Sequence, residues 1–481
     1  MNNLKKIFVS LLILLSCLTT KAERFTYVTS NNDTLYFTVT SFINQRVELI
    51  QGSYRQYSNL TIPEIVEYDG DDYTVTSIGR QAFYFNPFIQ SVTIPNSVVS
   101  IDEWAFVGCS NLRTINIGSN VSSISDYNFF ECPALQNIVV SDANDYFCSI
   151  DGVLYDKERT ILLSVPAAKS GELLIEPSVF DIRFYAAKSC TNLAKVVLPE
   201  NLEIIGDGAF ESCTSLESIN FPKTLTQIGK RAFYNAPLLG VAVIPDKLSV
   251  IGESAFENAK FTAISIGANV DTIKRNAFAN CVNLKTLVMK GNPRVRPNNF
   301  SNCDKLSTIV CLTDKPSKVD SAFFTGAMWY NVTMYVPCGK ENVYHTDAKW
   351  RYFRNTISFS NCEEIITNVE NKENENILVS KNENTEGCGN LNLEYVLEGT
   401  NVSLVDVKDG LEEIKIYPNP ATSQIIVSVE KNGEIFLYNM QGGLEFAKKV
   451  SRGENVIDVS RLSQGTYVLR KGQVSKLIIK Q

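Results

Sequence analysis

The sequence predicts a solenoid of about ten rungs of about 23 residues with a parallel β-sheet along one side, then a linker and a small antiparallel β-sandwich. Three observations carry this. First, an Ala-Phe dipeptide or a variant of it recurs. Its second position falls at Phe83, Phe106, Phe129, Ala187, Phe210, Phe233, Phe256, Phe278, Phe300 and Phe323. The steps are 23, 23, 58, 23, 23, 23, 22, 22 and 23, and the long one is a period of 23 plus an insertion of 35. A period held over that many copies is the signature of stacked repeats. Second, past Cys362 the chain turns rich in Asn, Glu and Lys and poor in large apolar residues, which is linker composition. Third, from Ile414 it becomes short strands bounded by Gly and Asn, as in a small antiparallel sandwich.

Taken in order, residues 1–22 read as a secretory signal. Lys5 and Lys6 give the positive start, residues 7–18 the apolar run, and Thr20-Lys21-Ala22 a small-x-small cleavage site. The run is shorter than the ~20 residues a bilayer span needs, and no other segment is a better candidate for one. Leu14-Leu15-Ser16-Cys17 also resembles a lipobox, in which Cys17 would be lipidated; otherwise Cys17 is one more apolar residue of the signal. Residues 23–74 form an N-terminal cap and 75–338 the repeats, interrupted by an insertion at about 141–175. Residues 339–362, with Trp350 and Phe353, cap the far end; 363–413 are a linker, partly disordered; 414–481 are the sandwich. Caps are expected because the terminal rungs would otherwise expose core and strand edges.

Each rung follows one grammar. Five residues before the phenylalanine position stands Ile78, Ile101, Ile124, Ile182, Ile205, Ile228, Ile251, Ile273 or Val295; the last rung departs from it with Lys318. Three residues after stands Cys109, Cys132, Cys190, Cys213, Cys281 or Cys303, with Asn86, Ala236 and Ala259 in other rungs. Then comes L-x-x-I-x-I, as in Leu112 to Ile117, often closed by a proline such as Pro95, Pro199, Pro222 or Pro245. A unit of this size cannot bury its own apolar side, so copies stack Ile over Ile and Phe over Phe. The alternating end is a strand with two residues inward and two outward. Ala187 replaces phenylalanine, and a smaller residue there predicts a packing gap. Ser149 to Tyr155 read as a hairpin with a turn near Asp156 to Arg159.

These residues closely resemble the BspA-like leucine-rich repeats of bacterial surface proteins, whose pattern is I-G-x-x-A-F-x-x-C-x-x-L. The likeness covers about residues 60–338. The tail resembles the type A C-terminal sorting domain of the type IX (Por) secretion system of Bacteroidetes. It does so through Tyr417, Pro418, Asn419, Pro420 and Ala421, then Gly442, then Leu462 to Val468 with Gly465 and Tyr467, and the closing run from Lys476 to Lys480. The second resemblance implies export by the type IX machinery, removal of the tail and fixation at the outer cell surface. The first implies an adhesin for host matrix proteins, mucosal glycoproteins or other bacteria, with a structural coat protein lacking a specific ligand as the alternative.

Composition narrows the chemistry. The formal charge is -7, and loss of Lys5, Lys6 and Lys21 with the signal makes it more negative, which argues against nucleic acid or anionic lipid as main partner. One histidine, His345, excludes two-histidine metal motifs, and within the end cap it reads as structural or surface rather than catalytic. No phosphate loop, dinucleotide motif, nucleophile elbow or complete calcium loop is present; Asp69 to Asp72 read as a solvated turn. No cofactor, metal or catalytic residue is expected, so the reading is a non-enzymatic binding protein. The six rung cysteines fall in neighbouring pairs at disulfide range. In-register side chains point the same way, which suits buried thiols better than disulfide torsions.

The outward residues of the strands give the candidate ligand face: Thr93, Thr114, Asn116, Asn137, Lys195, Val197, Ser218, Asn220, Val241, Val243, Thr286, Thr308, Thr333 and Tyr335. Lys195 is its one charge and Tyr335 its one aromatic ring. A face depleted of charge resembles an interface core. Thr and Val are equally what any good strand contains. The insertion, near residues 142–171, is the alternative surface, since insertions on one face often carry function.

Overall fold

Each rung contributes two strands and a run of turns to three parallel columns. In a computed structural model of the chain, the described residues are 23–54, 57–320, 328–359, 377–380, 392–395, 415–417, 423–429, 432–439, 444–471 and 474–480. The signal region, Cys17 among it, lies outside them, as do Phe323, Pro418, Asn419, Pro420, Gly442 and most of the linker. The chain divides into two compact units, one up to Tyr395 and one from Val396.

The first column is the isoleucine ladder. Two-residue strands such as Ser100–Ile101, Ile204–Ile205, Gln227–Ile228 and Val250–Ile251 pair in parallel, isoleucine against isoleucine. The second column holds the L-x-x-I-x-I strands. Thr114–Ile117 pairs in register with Ser91–Thr93 and Asn137–Val140, and Thr286–Met289 with Lys260–Ile266 and Thr308–Cys311. The third column is a turn run around the phenylalanine position. Two residues before and two after it the backbone is left-handed, with φ +60° at Gln81 and +52° at Phe85, +55° at Arg231 and +60° at Asn235. Asn and Gly recur there because they tolerate that region best. Alternating right- and left-handed residues turn every second N–H towards the next rung. Arg231, Phe233 and Asn235 donate to the carbonyls of Glu253, Ala255 and Glu257 at 2.8, 2.8 and 3.0 Å.

Between the columns the rings stack as the repeat predicts. Each of Phe210, Phe233, Phe256 and Phe278 lies 5.3 Å from the next, centroid to centroid, with nearly parallel planes and full burial. A second stack runs from Phe83 through Phe106 to Phe129 at 5.1 and 6.2 Å.

At the N-terminus, Arg24–Val28, Thr34–Ser41 and Arg46–Leu49 form antiparallel hairpins, and Arg46–Leu49 then pairs in parallel with Asp71–Ile78. Hairpin thus becomes ladder, and Tyr54 packs 4.8 Å from Phe83. At the far end Tyr344, Trp350 and Phe353 are buried, and the Trp350 indole donates to the Ser317 carbonyl at 2.8 Å. Asn355–Phe359 pairs with Thr333–Pro337 and adds a strand beyond the repeats. In the last rung Val319, not Lys318, bridges Val295, so the apolar position is kept by a one-residue shift.

The insertion is not a simple excursion. Phe147–Ile150 and Val153–Asp156 form a hairpin that turns at Asp151 and Gly152, and Ile161–Ser164 returns antiparallel to the second of these across the turn expected near Asp156 to Arg159. Ile161–Ser164 then pairs in parallel with Asp181–Ile182, and Gly171–Leu174 with Leu193–Val197. The insertion therefore builds a rung of its own in both strand columns.

Within residues 363–413, Ile377–Ser380 and Asn392–Tyr395 pair antiparallel. The C-terminal unit has two antiparallel sheets, one of Lys415–Tyr417, Gln424–Val429 and Gly453–Asp458, the other of Leu444–Val450, Gly433–Asn439, Gly465–Lys471 and Val474–Lys480. Ile425, Val427, Ile435, Leu437, Ile457 and Leu469 fill its core.

Candidate functional site

The strand column sets the outward residues in two rows. Thr93, Thr114, Asn116, Lys195, Val197 and Val241 are half-buried; Asn137, Ser218, Asn220 and Val243 are exposed. Thr93 and Asn116 are joined across strands by a 3.2 Å hydrogen bond from the Asn116 amide to the Thr93 hydroxyl. Asn220 turns its side chain onto the backbone of Leu198, donating to its carbonyl at 2.9 Å and accepting from its N–H at 2.7 Å.

Four of the candidate residues are not open. Thr286, Thr308, Thr333 and Tyr335 are only 7, 9, 6 and 2% exposed. They sit in two in-register rows, Ala263, Thr286, Thr308 and Thr333 in one, Ser265, Val288, Val310 and Tyr335 in the other. All eight are buried, so the solvent-open part of the candidate face ends near Val243, apart from Asn355 and Ile357 on the last strand.

The single charge of the face is also qualified. Lys195 makes a 2.9 Å ion pair with Glu172, its cross-strand neighbour on the insertion's rung. Sequence reasoning missed Glu172 because the insertion was placed outside the ladder. The signal was nonetheless there: Gly171 to Leu174 alternate as the strands do, and Leu174 points outward with Glu172.

The rung cysteines are free thiols, as are all nine described cysteines. Each thiol meets a carbonyl of the rung before it: Cys109 donates to Phe83, Cys132 to Phe106 and Cys213 to Ala187, all at 3.1 Å. The adjacent Cys213 thiol and then burial push Cys190 well above the usual thiol range, and burial and then the Cys303 thiol do the same for Cys281.

His345 is exposed on the short helix Glu341–Thr346. Among the described residues no group of acids, histidines or cysteines is placed to hold a metal ion, and no helix is long and apolar enough to cross a membrane. Of the sorting-domain residues, Tyr417 ends a strand, Gly465 begins one, and Lys476 lies in the last. Tyr467 is buried, its hydroxyl donating to the Ser463 carbonyl at 2.9 Å.

Residues 55–149 and 180–328 match the model of the BspA type leucine rich repeat region in six copies. Residues 415–481 match the secretion system C-terminal sorting domain, which implies the type IX machinery as export partner. Among solved structures the chain is similar to the pneumococcal vaccine antigen PcpA, at 18% identity and TM-score 0.40 over 70% of this chain and 99% of that one. A leucine-rich repeat protein from Eubacterium ventriosum gives 21% and 0.43, over 63% of this chain and 97% of the other. One from Bacteroides ovatus gives 21% and 0.40, over 68% and 97%. No curated protein matches the chain. With its ladders, ring stack and rung cysteines on the family pattern, the chain belongs to the BspA type leucine-rich repeat family and carries a secretion-system sorting domain.

Proposed function

We propose that this secreted surface protein is a non-enzymatic adhesin. It is displayed on the outer cell surface after removal of the signal peptide, and it binds host matrix proteins, mucosal glycoproteins or other bacteria. The observation that carries the reading is the open stretch of the strand face from Thr93 to Val243. It is shallow, it is in register within each of the three sheets it crosses, and its one candidate charge, Lys195, is held in an ion pair. Such a surface suits weak contact with an extended polypeptide or glycan, multiplied over many copies on a cell.

The test is binding of the full chain to a panel of matrix proteins, mucins and bacterial cells, beside a triple variant Lys195→Glu, Val241→Glu, Val243→Glu. Saturable binding lost in the variant is expected. Binding kept in the variant moves the site off this face. No binding by a well-folded sample favours a coat protein without a ligand.

A further inference from the structure

Single forward links of the turn column are missing at Trp104, Phe106 and Phe278, but among the rungs whose successor is described only that of Phe129 makes none. From Tyr185 onward each rung donates forward: Tyr185, Ala187 and Ser189 to the carbonyls of Asp207, Ala209 and Glu211, at 2.9, 2.7 and 2.8 Å. The rung of Phe129 has no such successor. The insertion's rung pairs onward in both strand columns but not back with the rung of Phe129, and in the turn column it is cut short, with Val165 donating onward to Ala186 at 2.7 Å. Among the described residues the N–H groups of Tyr127 and Phe129 meet no acceptor. The ring stack fails at the same place, since the insertion's rung offers Val165 and Ala167, and the next offers Ala187.

The result is a cavity of about 60 Å³ between the two stacks, partly open to solvent. Both residues with idle N–H groups line it. So does Arg183, whose Nε is buried without a partner. Its rim is aromatic: Tyr127, 43% exposed, lies 5.2 Å from Phe184 and 5.4 Å from Tyr185. Lys188 stands over the rings of Phe130 and Tyr185 at 4.4 and 4.6 Å. Its ammonium is fixed by Glu211 at 3.3 Å, a carboxylate that Arg231 also holds at 2.8 Å. Two cations share that one buried carboxylate. Asp126, on the rim, is exposed, and Asp181 contacts Arg183 only at 3.8 Å.

The site is therefore rich in donors without acceptors and is bordered by ring faces. We infer that this cavity binds the carboxylate of an acidic sugar, with the sugar ring stacked on the Tyr127 rim. The volume holds roughly four to six water-sized groups, which suits a carboxylate and the edge of a ring rather than an oligosaccharide. Successive N–H groups in alternating right- and left-handed backbone form an anion-binding concavity, and a guanidinium and an ammonium complete it. Tyr rings offer an apolar face with a polar edge, as sugar faces require. An acidic peptide would satisfy the donors but has no ring to lay on Tyr127. The inference deepens the adhesin reading by naming a ligand class and a second site, away from the strand face.

The experiment titrates the full chain with N-acetylneuraminic acid and glucuronic acid, their methyl esters, and a Glu-rich peptide, followed by chemical shifts or calorimetry. Saturation by at least one acid is expected, with its ester weaker by about tenfold or more, the worth of one charge-assisted contact. Tyr127→Asn keeps a residue that tolerates the left-handed backbone, and Lys188→Met keeps the stem over the rings; both should lose about tenfold or more. Trp104→Asn is the matched control, the same rung position with Arg80 over its ring at 4.6 Å but away from the cavity, and it should bind as the parent does. Folding of each variant is checked by circular dichroism. Equal binding of acid and ester, preference for the peptide, full binding by folded Tyr127→Asn and Lys188→Met, or no saturation by either acid at about 10 mM would each overturn the inference. The panel experiment is read separately, so failure here leaves the strand-face adhesin standing.

Discussion

At the scale of single residues, the repeat uses cysteine as a small apolar group that can also donate a weak hydrogen bond. Cys281 and Cys303 meet the carbonyls of Phe256 and Phe278 at 3.5 and 3.3 Å, one rung back, as the other rung thiols do. A disulfide would pull two such contacts apart. Burial keeps these thiols protonated, and Cys311 is pushed from near 9 up to about 12. The buried phenols of Tyr54, Tyr155 and Tyr344 are raised for the same reason. The consequence for stability has a definite sign. Below about pH 9 the thiols hold their protons in both states and contribute no slope. Between about pH 9 and 12 the unfolded chain releases protons that the folded chain keeps, so stability falls as pH rises. The denaturation midpoint should therefore be lower at pH 10 than at pH 8, with a smaller drop in Cys311→Ala; an unchanged or higher midpoint at pH 10 contradicts the account. In native protein a thiol reagent should label exposed Cys338 promptly and spare the seven buried cysteines until denaturant is added.

At the scale of the element, spacing between rungs is set where backbone meets backbone. A Cβ on Gly252 would lie 2.2 Å from the Gly229 carbonyl oxygen and 2.3 Å from its carbon, and neither atom is a flexible tip. Gly252→Ala should force two rungs apart and cost about 1–3 kcal/mol. Ser249→Ala, on the exposed side of the same rung, should stay within about 0.5 kcal/mol. Equal midpoints for the two variants in urea would show that the close approach does not set the spacing. Asn128 and Asn299 illustrate how a rung adapts. Each replaces the Ala before the ring, and each side chain accepts from the Ala of the rung before it, Ala105 at 2.8 Å and Ala277 at 2.9 Å. In sequence they read only as variants of the dipeptide; the stacked neighbour gives them their role.

At the scale of the whole solenoid, the insertion divides one core into two. One cluster runs from Leu35 to Leu154 and the other from Val153 to Phe353. The boundary passes through a single strand, Val153–Asp156, whose alternation sends Leu154 to the first cluster and Val153 and Tyr155 to the second. Stacked repeats are coupled mainly to their neighbours, so a break in the core lowers cooperativity there. Native-state hydrogen exchange should resolve two protected blocks that meet within residues 141–165. Leu154→Ala, costing about 2–5 kcal/mol, should lower protection in the first block and leave residues 200–300 near the parent level. A uniform loss along the solenoid would mean that the two clusters unfold as one.

The amino-acid sequence by itself determined the period, the ring stack, the L-x-x-I-x-I strand ladder and the sorting tail, while the isoleucine column proved to be a second strand ladder. Each is a local pattern whose side-chain direction follows from strand alternation and from copying the rung. The tertiary structure decided what depends on residues far apart in the chain. It gave the insertion a rung of its own, and with it the Glu172 partner of Lys195. It closed the strand face at Thr286, Thr308, Thr333 and Tyr335, which strand alternation alone placed outward. The cavity is not lined by Ala187, where the sequence placed a packing gap; the meeting of Tyr127 with Phe184 and Tyr185, far apart in the chain, gave it its rim.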